Sequence, residues 1–130
     1  MEKYFSSDSI VKQTKIEANA EKGIITITGS LLSSPSAAGS TSKLYQDFLV
    51  WLNEYANTPS PRTSVEFNIL YADTPSTLFL SKVCEKLASI NHAARVHAIW
   101  VYHPEDETIH DLGVDLKEAT TLDLEFVKSN

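Results

Sequence analysis

The sequence predicts one α/β domain, residues 1–130, built on a single mixed β-sheet with its helices mainly on one face. Strand-like runs and amphipathic helical runs alternate along the chain in the order ββαβαβαβ. Strands separated by single helices are expected to run parallel through right-handed crossovers. The predicted strands are polar on one side, whereas a sheet covered on both faces would be apolar on both. We therefore expect the second face of the sheet to contact water.

The chain is predicted to open with a β-hairpin within TKIEANAEKGIITITG, residues 14–29. Gly23 can adopt the positive φ that a tight reversal requires. The next segment, SLLSSPSAAGSTS at residues 30–42, consists mainly of small polar residues and is expected to form a mobile loop.

Two helices and a strand are predicted in the middle of the chain. The first helix is expected from Ser42 to Ala56 and the second from Pro75 onward. The apolar stripe of the first comprises Leu44, Phe48, Leu49, Trp51, Leu52 and Tyr55, and that of the second Leu80, Val83, Cys84, Leu87 and Ile90. In the strand TSVEFNILY between them, alternation predicts a buried side made of Val65, Phe67, Ile69 and Tyr71.

The C-terminal third predicts a strand, a helix and a final strand. In VHAIWVY, residues 96–102, Trp100 is expected in the core. The helix is expected within HPEDETIHDLGVDLKE, because Pro104 suits a first helical position and the acids after it suit the positive end of the helix dipole. Gly113 weakens that prediction. The last strand is LDLEFV, residues 122–127.

Three apolar residues, Leu70, Ile99 and Val101, interrupt the polar face of the predicted sheet. They are interpreted either as a patch for homodimer formation or partner docking, or as scattered surface residues. Both interpretations stay open at this level.

Charge and composition exclude several partners. A net charge of −6 without a Lys/Arg cluster disfavours nucleic acid. No apolar run approaches the length of about 20 residues needed to cross a bilayer, so no membrane association is expected. The lone Cys84 cannot form an internal disulfide, and the first residues do not resemble a secretory signal. We therefore expect a soluble protein of the cytoplasm.

Sequence motifs for catalysis are scarce. The four glycines do not form a phosphate-binding or dinucleotide-binding loop, so no cofactor is expected. Cys84 lies on a helical core stripe, where a thiol acts as a small apolar side chain. The best candidate metal cluster comprises His103, Asp106, Glu107, His110 and Asp111. Acids at a helix start also occur without a metal, so a small metal-dependent enzyme using His103, Asp106 and His110 remains only an alternative.

The stretch YADTPSTLF, residues 71–79, places three hydroxyl side chains around a proline at a strand-to-helix junction. With Pro75 at the first helical position, Thr74 is predicted to be the N-cap. Such a position also suits a phosphate, because helix N-termini favour negative charge. Thr74 is therefore a candidate phosphorylation site, flanked by Asp73, Ser76 and Thr77.

Four stretches together resemble the SiaC family of bacterial regulatory phosphoproteins: TKIEANAEKGIITITG, LYQDFLVWLNEY, WVYHPEDETIHDLG and LDLEFV. The resemblance implies a fold similar to anti-sigma-factor antagonists (STAS-like). It also implies that a partner kinase phosphorylates Thr74 and that a partner phosphatase restores it. In the best-known system of the family, the unphosphorylated form binds and activates a diguanylate cyclase.

The chain departs from the family pattern at the candidate site. Asp73 stands where the family usually has asparagine, and Pro75 where it has serine. The leading hypothesis is a non-enzymatic signalling adaptor that is switched at Thr74. A constitutive interaction scaffold, in which Thr74 only caps a helix, is a further alternative.

Overall fold

A computed structural model of the chain describes residues 3–6, 13–32, 41–90 and 95–129. Its strands form one sheet in the order β1-β2-β3-β4-β5-β6. β1 and β2 are antiparallel, as are β2 and β3, whereas the pairs from β3 to β6 are parallel. The strands are β1 (Tyr4–Ser6), β2 (Thr14–Asn19), β3 (Ile24–Leu31), β4 (Arg62–Ala72), β5 (Arg95–Tyr102) and β6 (Leu124–Lys128).

Three helices alternate with the parallel strands: α1 (Thr41–Asn57), α2 (Thr74–Ile90) and α3 (Glu107–Thr120). This arrangement confirms the predicted α/β class and, from β2 to β6, the predicted order of the elements. The three-residue strand β1 was not predicted, because it is too short to show an alternating pattern. No helix in the described part of the chain is long and apolar enough to span a bilayer.

The core lies between the helices and one face of the sheet. Trp100 is fully buried there, as predicted, and its Nε1 donates a hydrogen bond to the Ile109 carbonyl oxygen at 3.0 Å. The predicted inner stripe of α2 is also buried. On the opposite face, Thr28 and Asn68 are partly exposed and His97 is exposed. The sheet is therefore one-sided, as its alternating sequence predicts.

Tyr71, the last residue of the predicted strand, was expected on the buried face of the sheet, and this prediction is wrong. The register of β3 against β4 shifts between Gly29, which pairs with Ile69, and Ser30, which pairs with Tyr71. The extra residue, Leu70, forms a bulge, and a bulge breaks the alternation of a strand. Leu70 is therefore 65% exposed and Tyr71, predicted to be buried, is 53% exposed.

The start of α3 also differs from the prediction. The helix begins at Glu107 and not at Pro104, because the Asp106 side chain caps it by accepting from the Ile109 N–H at 3.0 Å. Gly113, which weakened the prediction, has a packing role. A Cβ there would lie 2.7 Å from two ring atoms of Trp100, so glycine allows α3 to approach the tryptophan.

The predicted loop at residues 30–42 lies partly outside the described residues. Of the predicted loop at residues 30–42, Ser30 and Leu31 belong to β3, and Thr41 and Ser42 belong to α1. Residues 33–40 of that loop lie outside the described part of the chain, as do residues 91–94 after α2.

Candidate phosphorylation site at the start of α2

The start of α2 is built on Asp73, at the exit of β4. The Asp73 N–H donates to the Leu31 carbonyl oxygen at 3.1 Å, which ties this residue to the end of β3. The Asp73 Oδ1 accepts from the Ser76 N–H at 3.0 Å, and its carbonyl oxygen accepts from the Thr77 N–H at 2.9 Å. These are the contacts of an N-cap residue.

The prediction that Thr74 is the N-cap is therefore wrong by one residue. The Asp73 carboxylate occupies the capping position, which places Thr74 at the first helical position and Pro75 at the second. A proline fits this first turn as well, since the first N–H groups of a helix have no partner within it. Thr74 is free of the structural role that the sequence assigned to it.

The Thr74 side chain is presented to solvent. Thr74 and the neighbouring Pro75 are both exposed. Among the described residues, no group forms a hydrogen bond with the Thr74 hydroxyl. Leu78, one helical turn further along α2, is 62% exposed. The surface around the hydroxyl thus combines an accessible acceptor for a phosphoryl group with an exposed apolar side chain.

The other two hydroxyls of this turn have different surroundings. Ser76 is fully buried, and its Oγ lies 2.7 Å from the hydroxyl oxygen of Tyr45 on α1. The Thr77 Oγ1 donates to the Asp73 carbonyl oxygen at 3.0 Å. The structure thus brings Asp73, Thr74, Ser76 and Thr77 together in one turn but gives each a separate environment.

Tyr45 is a part of the site that sequence reasoning missed. Its ring stacks on Phe79 of α2, with ring centroids 4.0 Å apart. Burial raises the pKa of the Tyr45 phenol above its ordinary value, so the group is neutral at physiological pH. The signal available in the sequence was the spacing of Tyr45, Phe48, Leu52 and Tyr55, which places Tyr45 on the inner stripe of α1.

The first turn of α2 carries no acidic residue of its own beyond the cap. A phosphate on Thr74 would meet the positive end of the helix dipole, which stabilises negative charge. It would also lie next to the Asp73 carboxylate, which repels it. A phosphate at this position would therefore be favoured by the helix dipole and would change the electrostatics of the surface around it.

A cleft of about 640 Å³ lies beside this helix start. The exit of β4 and Thr77 form one side, and α3 forms the other. Its lining residues are Leu70, Tyr71, Ala72, Thr77, Asp106, Thr108, Ile109, Asp111, Leu112 and Asp115. Sequence reasoning did not find this cleft, because it depends on the bulge that exposes Leu70 and Tyr71.

The structure does not assemble the candidate metal site. The His103 Nδ1 accepts from the Glu105 N–H at 3.1 Å, and Asp106 caps α3. The His110 ring packs against Tyr102, with ring centroids 4.7 Å apart. Among the described residues, no three His, Cys, Asp or Glu side chains are placed to hold a metal ion. This arrangement does not support the alternative of a metal-dependent enzyme.

Cys84 is buried in the inner stripe of α2, as predicted. Burial raises the pKa of its thiol from 9.0 to about 12. The side chain is therefore a neutral thiol at physiological pH, which is the form that packs in a core and not the thiolate that reacts.

The predicted apolar patch on the open face of the sheet divides into two parts. Ile99 and Val101 are partly exposed there, and Val101 pairs with the exposed Val127 of β6. Leu70 instead lines the cleft beside α2. A homodimer through the sheet face stays a prediction.

The fold and the site define a small α/β class: a one-sided mixed sheet with a helix start that displays an exposed threonine hydroxyl, which makes no hydrogen bond with any described residue. Residues 8–129 match the model of a family described as SiaC family regulatory phosphoprotein. The chain therefore belongs to the SiaC family of regulatory phosphoproteins.

Solved structures share this fold at low sequence identity. SiaC of Pseudomonas aeruginosa is 14% identical, with a TM-score of 0.71 over 89% of this chain and 90% of that one. A chain in the crystal structure of the diguanylate cyclase SiaD in complex with its activator SiaC, from the same organism, is 15% identical, with a TM-score of 0.74 over 89% and 92%. A comparison with curated protein sequences gives no match.

Proposed function

We propose that this chain is a non-enzymatic signalling adaptor of the cytoplasm, controlled by reversible phosphorylation of Thr74. A protein kinase adds the phosphate and a protein phosphatase removes it. The observation that carries the proposal is the exposed Thr74 hydroxyl at a capped helix start, which makes no hydrogen bond with any described residue, in a chain that belongs to a family of regulatory phosphoproteins.

The output partner in this proposal is a diguanylate cyclase. Support comes from the structurally similar SiaC, which is described as the activator of the diguanylate cyclase SiaD and forms a complex with it. The family resemblance of the sequence implies the same kind of output, with the unphosphorylated chain as the active form.

The switching mechanism follows from the surroundings of Thr74. The α2 surface there is uncharged apart from the Asp73 cap and includes the exposed Leu78. Phosphorylation adds a charge of about −1.5 to −2. A partner packed against this helix end would have to desolvate the phosphate and accept its repulsion with Asp73. Phosphorylation therefore weakens the binding of the output partner.

The surroundings of the candidate catalytic groups support a role without catalysis. Cys84 is a buried thiol with a raised pKa, and His103, Asp106 and His110 each have separate structural contacts. The chemistry of phosphoryl transfer then belongs to the kinase and the phosphatase. This chain supplies the acceptor hydroxyl and the surface that changes.

The test incubates the purified chain with its partner kinase and ATP, and maps the phosphate by mass spectrometry. We expect modification of the wild type at Thr74 and none in Thr74→Ala. Thr108→Ala is the matched control, because Thr108 is also exposed in the first turn of a helix capped by an aspartate. It should be phosphorylated like the wild type.

Binding of the phosphorylated and unmodified chains to the cyclase is then compared. We expect tighter binding of the unmodified chain. Phosphate on Ser76 or Thr77 with Thr74 unmodified would contradict the assignment of the site. Equal binding of both forms would contradict the switching mechanism.

A further inference from the structure

The segment Thr74-Pro75-Ser76-Thr77 contains three hydroxyl side chains within four residues. A kinase that recognised only the local sequence could therefore not select one of them by position alone. The structure separates them by accessibility. Thr74 is exposed, Thr77 is half-buried and hydrogen-bonded to Asp73, and Ser76 is fully buried. This difference in exposure is kept only if contacts elsewhere in the fold hold the first turn of α2 in its helical conformation.

The first turn of α2 is restrained from outside its own helix by the contact between Ser76 and Tyr45. Their hydroxyl oxygens lie 2.7 Å apart in the buried interface between α1 and α2. The Tyr45 ring also stacks on Phe79 of α2, with ring centroids 4.0 Å apart. Ser76 is thereby connected to α1 through Tyr45, beyond the contacts of its own helix.

We propose that the hydrogen bond between Tyr45 and Ser76 determines the specificity of phosphorylation, by holding the first turn of α2 closed and confining the modification to Thr74. This inference rests on the proposed function. In the transfer, the Thr74 Oγ1 forms a bond to the γ-phosphorus of ATP, ADP leaves, and a base of the kinase takes the hydroxyl proton.

The physical basis is the cost of exposing each hydroxyl. Thr74 can enter a kinase site while the helix stays intact, because it is already exposed and its hydroxyl has no hydrogen bond to break within the described part of the chain. Ser76 reaches solvent only if its contact with Tyr45 breaks and the turn unwinds. Thr77 must likewise leave the Asp73 carbonyl oxygen. Local opening of the helix end limits access to Ser76, and the hydrogen bond to Asp73 limits access to Thr77.

The test replaces Tyr45 by phenylalanine, which keeps the stacked ring but removes the hydroxyl. Tyr55→Phe is the matched control, since the hydroxyl of the buried Tyr55 lies 2.7 Å from the Thr63 Oγ1 elsewhere on α1. Two measurements are made on each variant: the exchange rates of the Ser76 and Thr77 amide hydrogens, and the distribution of phosphate after treatment with the kinase and ATP.

For Tyr45→Phe we expect the Ser76 and Thr77 amides to exchange about tenfold faster, as befits the loss of one buried hydrogen bond. We also expect phosphate on Ser76 or Thr77 in addition to Thr74. Tyr55→Phe should match the wild type in both measurements. If Tyr45→Phe does not fold, Ser76→Ala removes the same bond and should direct the additional phosphate to Thr77.

The two measurements separate this inference from the proposed function. Unchanged amide exchange in Tyr45→Phe, or faster exchange with phosphate still only on Thr74, would overturn the inference while the proposed function stands. If the wild type receives no phosphate at all, the proposed function fails. The exchange measurement then still decides whether the hydrogen bond holds the turn closed.

Discussion

The N-terminal turns of α2 and α3 are capped in the same way but have different surroundings. Each helix is capped by an aspartate whose side chain accepts from an N–H three residues later, at 3.0 Å in both cases. The first turn of α3 carries the acidic residue Glu107, and that of α2 carries none. Trp100 donates to a carbonyl group of α3, whereas the α2 turn displays Thr74 to solvent.

Both helix starts have a cap and a helix dipole, so these two features alone do not distinguish the proposed regulatory site. At α3, the chain already places a negative charge in the first turn, and the turn is fixed to the core by Trp100. At α2, the positive end of the dipole lacks such a charge, and a hydroxyl is available beside it. The predictions below test whether α3 is the structural start and α2 the regulatory one.

The largest expected effect is at the core contact of α3. Trp100→Ala should lower the free energy of unfolding by about 3–5 kcal/mol, because it leaves a cavity and removes the hydrogen bond to the Ile109 carbonyl oxygen. Denaturant titration measures this loss. A variant that kept full stability but lost partner binding would show that Trp100 belongs to an interface and not to the core.

The next effect tests the close approach of α3 to the same tryptophan. Gly113→Ala should destabilise the fold by about 1–3 kcal/mol, because the added Cβ would lie 2.7 Å from the indole ring. Alanine favours a helix over glycine by about 1 kcal/mol, so helix propensity alone predicts the opposite sign. A higher melting temperature for Gly113→Ala would show that α3 can move away from Trp100 without cost.

The sequence correctly predicted the buried faces of elements whose apolar residues recur at regular spacing. The alternating strand around Trp100 and the helical stripe around Cys84 specify a buried face without knowledge of neighbours. Tyr71 could not be placed, because the bulge at Leu70 depends on the register between β3 and β4. Sequence periodicity cannot predict the position of a residue that is set by pairing with a second strand or helix.

The same limit applies to the candidate site. The cap was assigned to Thr74 because threonine and aspartate both cap helices and Pro75 fits either of the first two helical positions. Only the hydrogen bonds of Asp73 decide between them. The pairing of Ser76 with Tyr45 joins residues 31 positions apart, so no local pattern contains it.

A smaller effect compares the two caps directly. Asp73→Ala and Asp106→Ala should each cost about 1 kcal/mol of stability, since each leaves a helix N–H without its partner. Asp111→Ala is the control, because this exposed aspartate caps no helix start; its effect should stay within about 0.5 kcal/mol. If only one of the two substitutions, Asp73→Ala or Asp106→Ala, lowered the free energy of unfolding, the two caps would not be equivalent.

The smallest effect on stability is expected at Thr74, where the effect on function should be greatest. Because Asp73 is the cap, and the exposed Thr74 has no hydrogen bond from its hydroxyl to the residues that the structure describes, Thr74→Ala should change the free energy of unfolding by less than about 0.5 kcal/mol. An N-cap threonine would lose about 1 kcal/mol in the same experiment, so denaturant titration distinguishes the two roles. Thr108→Ala should be equally mild at the start of α3. Only Thr74→Ala should abolish phosphorylation and hold the chain in its partner-binding form. A loss of about 1 kcal/mol with phosphorylation unchanged would instead make Thr74 a structural residue, and the start of α2 would then differ from that of α3 in exposure alone.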